Sequence, residues 1–226
     1  MTVRPYDVIT FDCYGTLIDW NRGLRSALRS AVATAGGTAG PAELLSAYHE
    51  LEPIVEAESH QSYREVLTET ARRAAARIDV ELSSAAAAAI PASLPDWPPF
   101  ADTNPALERL HAAGYSLGIL SNVDDVLLVG TCRRLTVPFD LIVTAERVGS
   151  YKPAPGHFET ARRTIGGARW LHAAQSYFHD VAPAHALGIP VAWINRLREL
   201  PAGNAQPLRE FHDLKELADW LAYDKA

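Results

Sequence analysis

Apolar positions along this chain gather in short continuous runs, the pattern of strands buried on both faces. The runs occupy 8–11, 117–120, 141–143, 177–178 and 191–194, and each predicts a strand. Between most of them the apolar spacing becomes that of helices. Thr103-Asn104-Pro105 opens a helix that closes at Gly114, Pro155 opens another ending near Gly166, and 183–187 belongs to a short third. This alternation predicts an α/β fold, a doubly wound parallel sheet with a Rossmann-like core.

The interval 19–95 breaks the rhythm. It holds no convincing strand and reads as consecutive helices over 23–35, 41–57, 62–77 and 83–90. An inserted α-helical cap domain is therefore expected over 19–95, with the catalytic core formed by 1–18 and 96–226. Pro91, Pro95, Pro98 and Pro99 predict a stiff, non-helical return to the core. Near the end, Leu214, Leu217, Trp220 and Leu221 stand at helical spacing and predict a packing face.

Composition narrows the function classes. Of 226 residues 48% are hydrophobic and 21% charged, and the net charge is −6 without a Lys/Arg block, which argues against a nucleic-acid partner. No apolar stretch approaches the roughly 20 residues that span a bilayer. The start lacks the apolar segment of a secretory signal, so a cytoplasmic protein without membrane partners is expected. Cys13 and Cys132 lie far apart without metal-ligand spacing, which fits a reducing compartment. Cys13, among apolar neighbours, is expected to pack as a small hydrophobe.

Polar residues follow four of the predicted strands or their connections: Asp12 with Thr16, Ser121-Asn122, Lys152-Pro153, and the segment from Gln175 to Asp180. Singly, each has an ordinary reading. Asp12 to Thr16 and Ser121-Asn122 suit turns, Lys152 a solvated loop, and Asp180 the N-cap of the next helix. Together, at the ends of successive parallel strands, they bring two carboxylates, an ammonium and small hydrogen-bonding side chains to one crevice. His157 and His179 adjoin these segments, whereas His111, His172, His185 and His212 fall on helix or loop patterns without a partner at ligand spacing.

With these residues in this order, the chain resembles the haloacid dehalogenase superfamily. The segments 11–20 and 188–196 and the run Tyr151-Lys152-Pro153 are most similar to its 2-haloacid dehalogenase branch. That resemblance implies that Asp12 is the nucleophile, that Lys152 keeps it ionised, and that Asp180 orients Lys152 or polarises water. Thr16 and Ser121 would then hydrogen-bond the nucleophile or the substrate carboxylate, and Asn122 would contact the leaving halide; Tyr14, Gln175 and His179, which adjoin these residues, are the further candidates for substrate contact. Where the branch has a cap arginine this chain has His49, and Arg64 is the other cap residue within the expectation; its ordinary reading is a solvated helix charge.

Tyr14 separates the branches on physical grounds. Phosphatases of the superfamily carry a second Asp two residues after the nucleophile, which protonates the leaving alkoxide. Tyrosine, with an ordinary pKa near 10, is a poor replacement. A halide leaves without a proton. Gln175 also stands where phosphatases place an acid. The expectation is a hydrolase converting a small (S)-2-haloacid to a 2-hydroxy acid, with no cofactor required. The resemblance leaves room for Mg²⁺, whose ligands would be Asp12, Tyr14 and Asp180, and for a homodimer. Alternative readings are a Mg²⁺-dependent phosphatase, a hydrolase opening a strained-ring carboxylate, and a non-catalytic ligand-binding member.

Overall fold

A computed structural model describes residues 4–38, 40–58 and 61–222. Among them six strands form one sheet: β1 (Val8–Phe11), β2 (Ser116–Ser121), β3 (Leu141–Thr144), β4 (Trp170–Ala174), β5 (Val191–Ile194) and β6 (Arg209–Phe211). Their order is β3-β2-β1-β4-β5-β6, with every neighbouring pair parallel. The predicted doubly wound sheet is thus present. Every residue of β4 and β5 is buried, as are all but the first of β1 and β2, which is why the sequence shows unbroken apolar runs there. β1 lies between β2 and β4, so the chain's winding reverses there, and α/β sheets bind ligands beyond the strand ends at such a reversal.

The chain folds into two compact units. The first comprises Met1–Ile18, Pro99–Asn122 and Leu135–Ala226 and contains the whole sheet; the second comprises Asp19–Pro98 and Val123–Arg134. Helices Trp20–Thr34, Pro41–Glu58, Tyr63–Ala76, Ser84–Ser93 and Asp125–Cys132 build the second unit. Local chemistry sets their starts. Asp19 accepts from the Arg22 amide, and Ser62 with Glu65 forms a reciprocal capping box. The two oxygens of Asp124 also accept from the amides of Tyr63 and Arg64, at 2.7 and 2.9 Å. The core of this unit includes Trp97, whose ring lies so close to Gly23 that a Cβ there would come within 2.3 Å of it.

Three local expectations are corrected. No strand forms at 177–178: the strand is Trp170–Ala174, and Tyr177–Val181 makes a π-helical turn. Tyr177 resembled a strand residue because it is buried, its ring 5.4 Å from that of Trp193. Pro91 does not lie in a non-helical connector but inside helix Ser84–Ser93, where it is buried beside Ile90. Burial there offsets the backbone hydrogen bond that proline cannot donate. Asp180 does not cap the helix after it; Ser176 caps the turn instead, accepting from the His179 amide. No helix among the described residues is long and apolar enough to cross a membrane.

Candidate active site

All residues at the centre of the site belong to the unit that holds the sheet. Asp12 follows the last residue of β1, and its loop turns at Gly15, whose φ of 93° suits glycine. Arg196 fixes that loop from below: it donates to the Thr16 carbonyl at 2.9 and 3.2 Å, pairs with both oxygens of Asp102, and lies 3.9 Å over the Phe100 ring. Arg196 lies in the segment 188–196, and nothing in its spacing points to this supporting role.

Lys152 is buried between two carboxylates. Its Nζ donates to Asp180 Oδ1 at 2.6 Å, to the Leu120 carbonyl at 2.9 Å and to Asp12 Oδ1 at 3.0 Å. An ammonium has three N–H groups, so all three are spent on the protein. The Thr16 hydroxyl donates to the other Asp12 oxygen at 2.8 Å and accepts from the Gln175 amide at 2.9 Å. Asp12 is therefore held at both oxygens, and 7% of its surface remains exposed.

The electrostatics divide the two acids. Burial pushes the Asp12 carboxyl above its ordinary value; the Lys152 charge opposes this, and the Asp180 charge adds to it. Burial acts likewise on Asp180, yet the Lys152 charge and the hydrogen bond from His172 outweigh it and hold that carboxyl well below the ordinary range. For Lys152, burial disfavours the charge, but Asp12 and Asp180 overcome it and raise the ammonium's pKa. The cluster thus holds one cation between two anions.

Asn122 grips the backbone of Lys152, its Oδ1 accepting from that residue's amide at 2.7 Å and its Nδ2 donating to the carbonyl at 3.1 Å. Ser121 ends β2, and its Oγ is buried without a hydrogen-bond partner in the protein; the same holds for Asp180 Oδ2 and His157 Nδ1. His157 Nε2 reaches the Ser121 carbonyl at 3.1 Å, and burial pushes its pKa down to about 4. Gln175 directs its side-chain amide to Glu199 at 3.1 Å. Tyr14 is half-buried and bridges to Ile18 within the loop. His179 packs its ring 5.0 Å from Phe178 and meets Ser176 Oγ at 3.1 Å through Nδ1.

His49 and Arg64 belong to the other unit. His49 Nε2 lies 3.0 Å from Asn21 Oδ1, and Arg64 has an exposed side chain while its amide donates to Asp124. The expectation for His172 is corrected. It lies in β4, fully buried, and meets Asp180 Oδ1 at 3.0 Å and Thr10 Oγ1 at 2.9 Å. The available signal was a histidine in the middle of a wholly apolar strand.

One ammonium bridges Asp12 Oδ1 and Asp180 Oδ1. Among the described residues, no group of three or more His, Cys, Asp or Glu side chains is placed to hold a metal.

The model of the haloacid dehalogenase-like hydrolase family matches residues 6–173. Over 127 residues the chain is 32% identical to an (S)-2-haloacid dehalogenase of Pseudomonas putida, a match covering 54% of this chain and 56% of that protein. The chain thus aligns with about half the length of that relative. Among solved structures it is similar to an L-2-haloacid dehalogenase with a TM-score of 0.84 at 24% identity, covering 98% of this chain and 99% of the other. It is also similar to the L-2-haloacid dehalogenase of Xanthobacter autotrophicus with chloropropionic acid covalently bound, with a TM-score of 0.77 at 21% identity, covering 98% of this chain and all of that one. At those identities the likeness is one of fold.

Proposed function

The chain belongs to the haloacid dehalogenase-like hydrolases, and from that premise we propose that it displaces halide from a small (S)-2-haloacid through an ester on Asp12. One observation carries this reading: a carboxylate at the end of β1 is held at both oxygens by Lys152 and Thr16, with a tyrosine where leaving-group protonation would need an acid. The relative with chloropropionic acid covalently bound supports an intermediate of this kind.

In the first step an Asp12 oxygen attacks the carbon bearing the halogen, in line and with inversion. A C–O bond forms, the C–X bond breaks, and halide leaves with the electron pair. Lys152 favours the ionised nucleophile, which burial alone would disfavour. Its N–H groups are all engaged, so its part is to hold Asp12 and not to bind the substrate. The unpartnered Ser121 hydroxyl is the donor offered to the substrate carboxylate.

In the second step water attacks the ester carbonyl. Asp180 Oδ2 has no partner in the protein and accepts the water proton. The acyl–oxygen bond then breaks, Asp180 returns that proton to the leaving alkoxide, and the second water proton goes to solvent. The products are the 2-hydroxy acid and an ionised Asp12. Overall, one haloacid and one water give hydroxy acid, halide and one proton.

The test is halide release from a panel of (S)- and (R)-2-haloacids, with Asp12→Asn as control. Release from (S) substrates that vanishes in the variant supports the reading. No halide from any of them overturns it, and phosphomonoester hydrolysis abolished by chelator would point to a phosphatase.

A further inference from the structure

A chain of buried hydrogen bonds leads to the same oxygen of Asp180 that Lys152 holds. Trp170 Nε1 donates to Thr10 Oγ1 at 2.7 Å, Thr10 Oγ1 meets His172 Nδ1 at 2.9 Å, and His172 Nε2 meets Asp180 Oδ1 at 3.0 Å. The sheet register builds it. Thr10 on β1 pairs with His172 on β4, and Val8 pairs with Trp170 two residues earlier, so Thr10, His172 and Trp170 share one face. Thr10 and His172 are wholly buried, and Trp170 nearly so.

The chemistry of the two end members fixes the direction of the others. An indole N–H can only donate, so the Thr10 oxygen accepts from Trp170, and an ionised carboxylate can only accept, so His172 Nε2 carries the proton directed at Asp180. In the neutral ring Nδ1 then presents its lone pair, and the Thr10 hydroxyl donates to it. Asp180 Oδ1 thereby receives two donors, His172 and Lys152, while Oδ2 receives none from the protein. Two donors on one oxygen fix the rotation of the carboxylate and leave the other oxygen as its acceptor for water.

We propose that His172, held between Thr10 and Asp180, is a positioning residue that orients Asp180 for the hydrolysis of the Asp12 ester. The functional half of this inference rests on the dehalogenase reading above. Asp180 remains the group that takes the water proton and returns it to the alkoxide; His172 transfers none and holds the acceptor in place. The alkylation step, in which Asp12 attacks and halide leaves, does not use Asp180 Oδ2. Loss of His172 therefore slows the second step selectively. Misdirection of a reacting group by about 1 Å costs on the order of a hundredfold in rate.

The experiment combines a rapid-quench assay with (S)-2-chloropropionate and ¹⁵N NMR of the histidine rings. In His172→Phe, the halide burst keeps its rate, steady-state release falls about a hundredfold, and the ester accumulates on the Asp12 peptide. His172→Gln, which retains an N–H donor near the Nε2 position, restores turnover towards wild type. A purely structural role would reduce burst and steady state together without ester accumulation, and that result overturns the proposal. If His172→Phe does not fold, Thr10→Val against Thr10→Ser gives the same contrast. In the wild-type protein NMR must show the His172 proton on Nε2; a proton on Nδ1 overturns the relay. Should the wild type release no halide, the dehalogenase reading fails, and the NMR result still decides the relay.

Discussion

Lys152 Nζ and Asp180 Oδ1 lie 2.6 Å apart, both shut off from solvent, and the same nitrogen reaches Asp12 at 3.0 Å. Removing the cation leaves two buried carboxylates facing each other. Breaking a buried ion pair by deleting one partner costs about 3–5 kcal/mol. Lys152→Met is therefore expected to lose that much stability near neutral pH and to recover part of it in acid, as the carboxyls take up protons. Thermal unfolding from pH 4 to pH 8 checks this, and catalytic activity should be lost at every pH.

The raised pKa of Asp12 gives a pH dependence of definite sign. Its ionised form attacks, so the halide burst should rise with pH through a midpoint above that of an ordinary aspartate. Because the Asp180 charge contributes to raising that pKa, Asp180→Asn should move the midpoint of the burst to lower pH even as it stops turnover. Rapid-quench halide measurements across pH 3 to 8 test this, and an unmoved midpoint would exclude Asp180 as a source of the shift.

Sequence order alone disclosed Asp12, Ser121, Asn122 and Lys152 as candidates, because each stands at the end of a buried apolar run or in a distinctive short motif. Asp180 is legible in the sequence as a candidate by its chemistry but not by its local structure, since the aromatic pair Tyr177-Phe178 imitates a strand and displaces β4 by several residues. That displacement hid His172. Once placed in β4, a histidine among Trp170, Leu171, Ala173 and Ala174 requires a buried polar partner, and Asp180 and Thr10 are those partners. Arg196 and its pairing with Asp102 joins residues 94 positions apart, which no local pattern reveals.

In the helical unit, Glu52 accepts from the hydroxyls of Tyr63 and Tyr48 at 3.0 and 3.3 Å, and burial pushes its carboxyl up to about 7 against the pull of those bonds. A carboxyl raised on folding contributes stability below its unfolded pKa and loses that contribution as pH rises through the folded value. Wild type should lose on the order of 2 kcal/mol between about pH 4.5 and 7.5 relative to Glu52→Gln. Paired denaturant titrations at the two ends of that range measure the difference, and parallel profiles would contradict it.

The most direct measurement of the ester mechanism is a single turnover in ¹⁸O water with enzyme in excess over (S)-2-chloropropionate, followed by mass analysis of the Asp12 peptide. Water attacking the ester carbonyl places its oxygen in the Asp12 carboxylate, so that peptide gains about 2 Da and the first hydroxy acid formed carries no label. Label in that first product with an unchanged Asp12 peptide would mean that water displaces the halide directly, and Asp12 would not be the nucleophile.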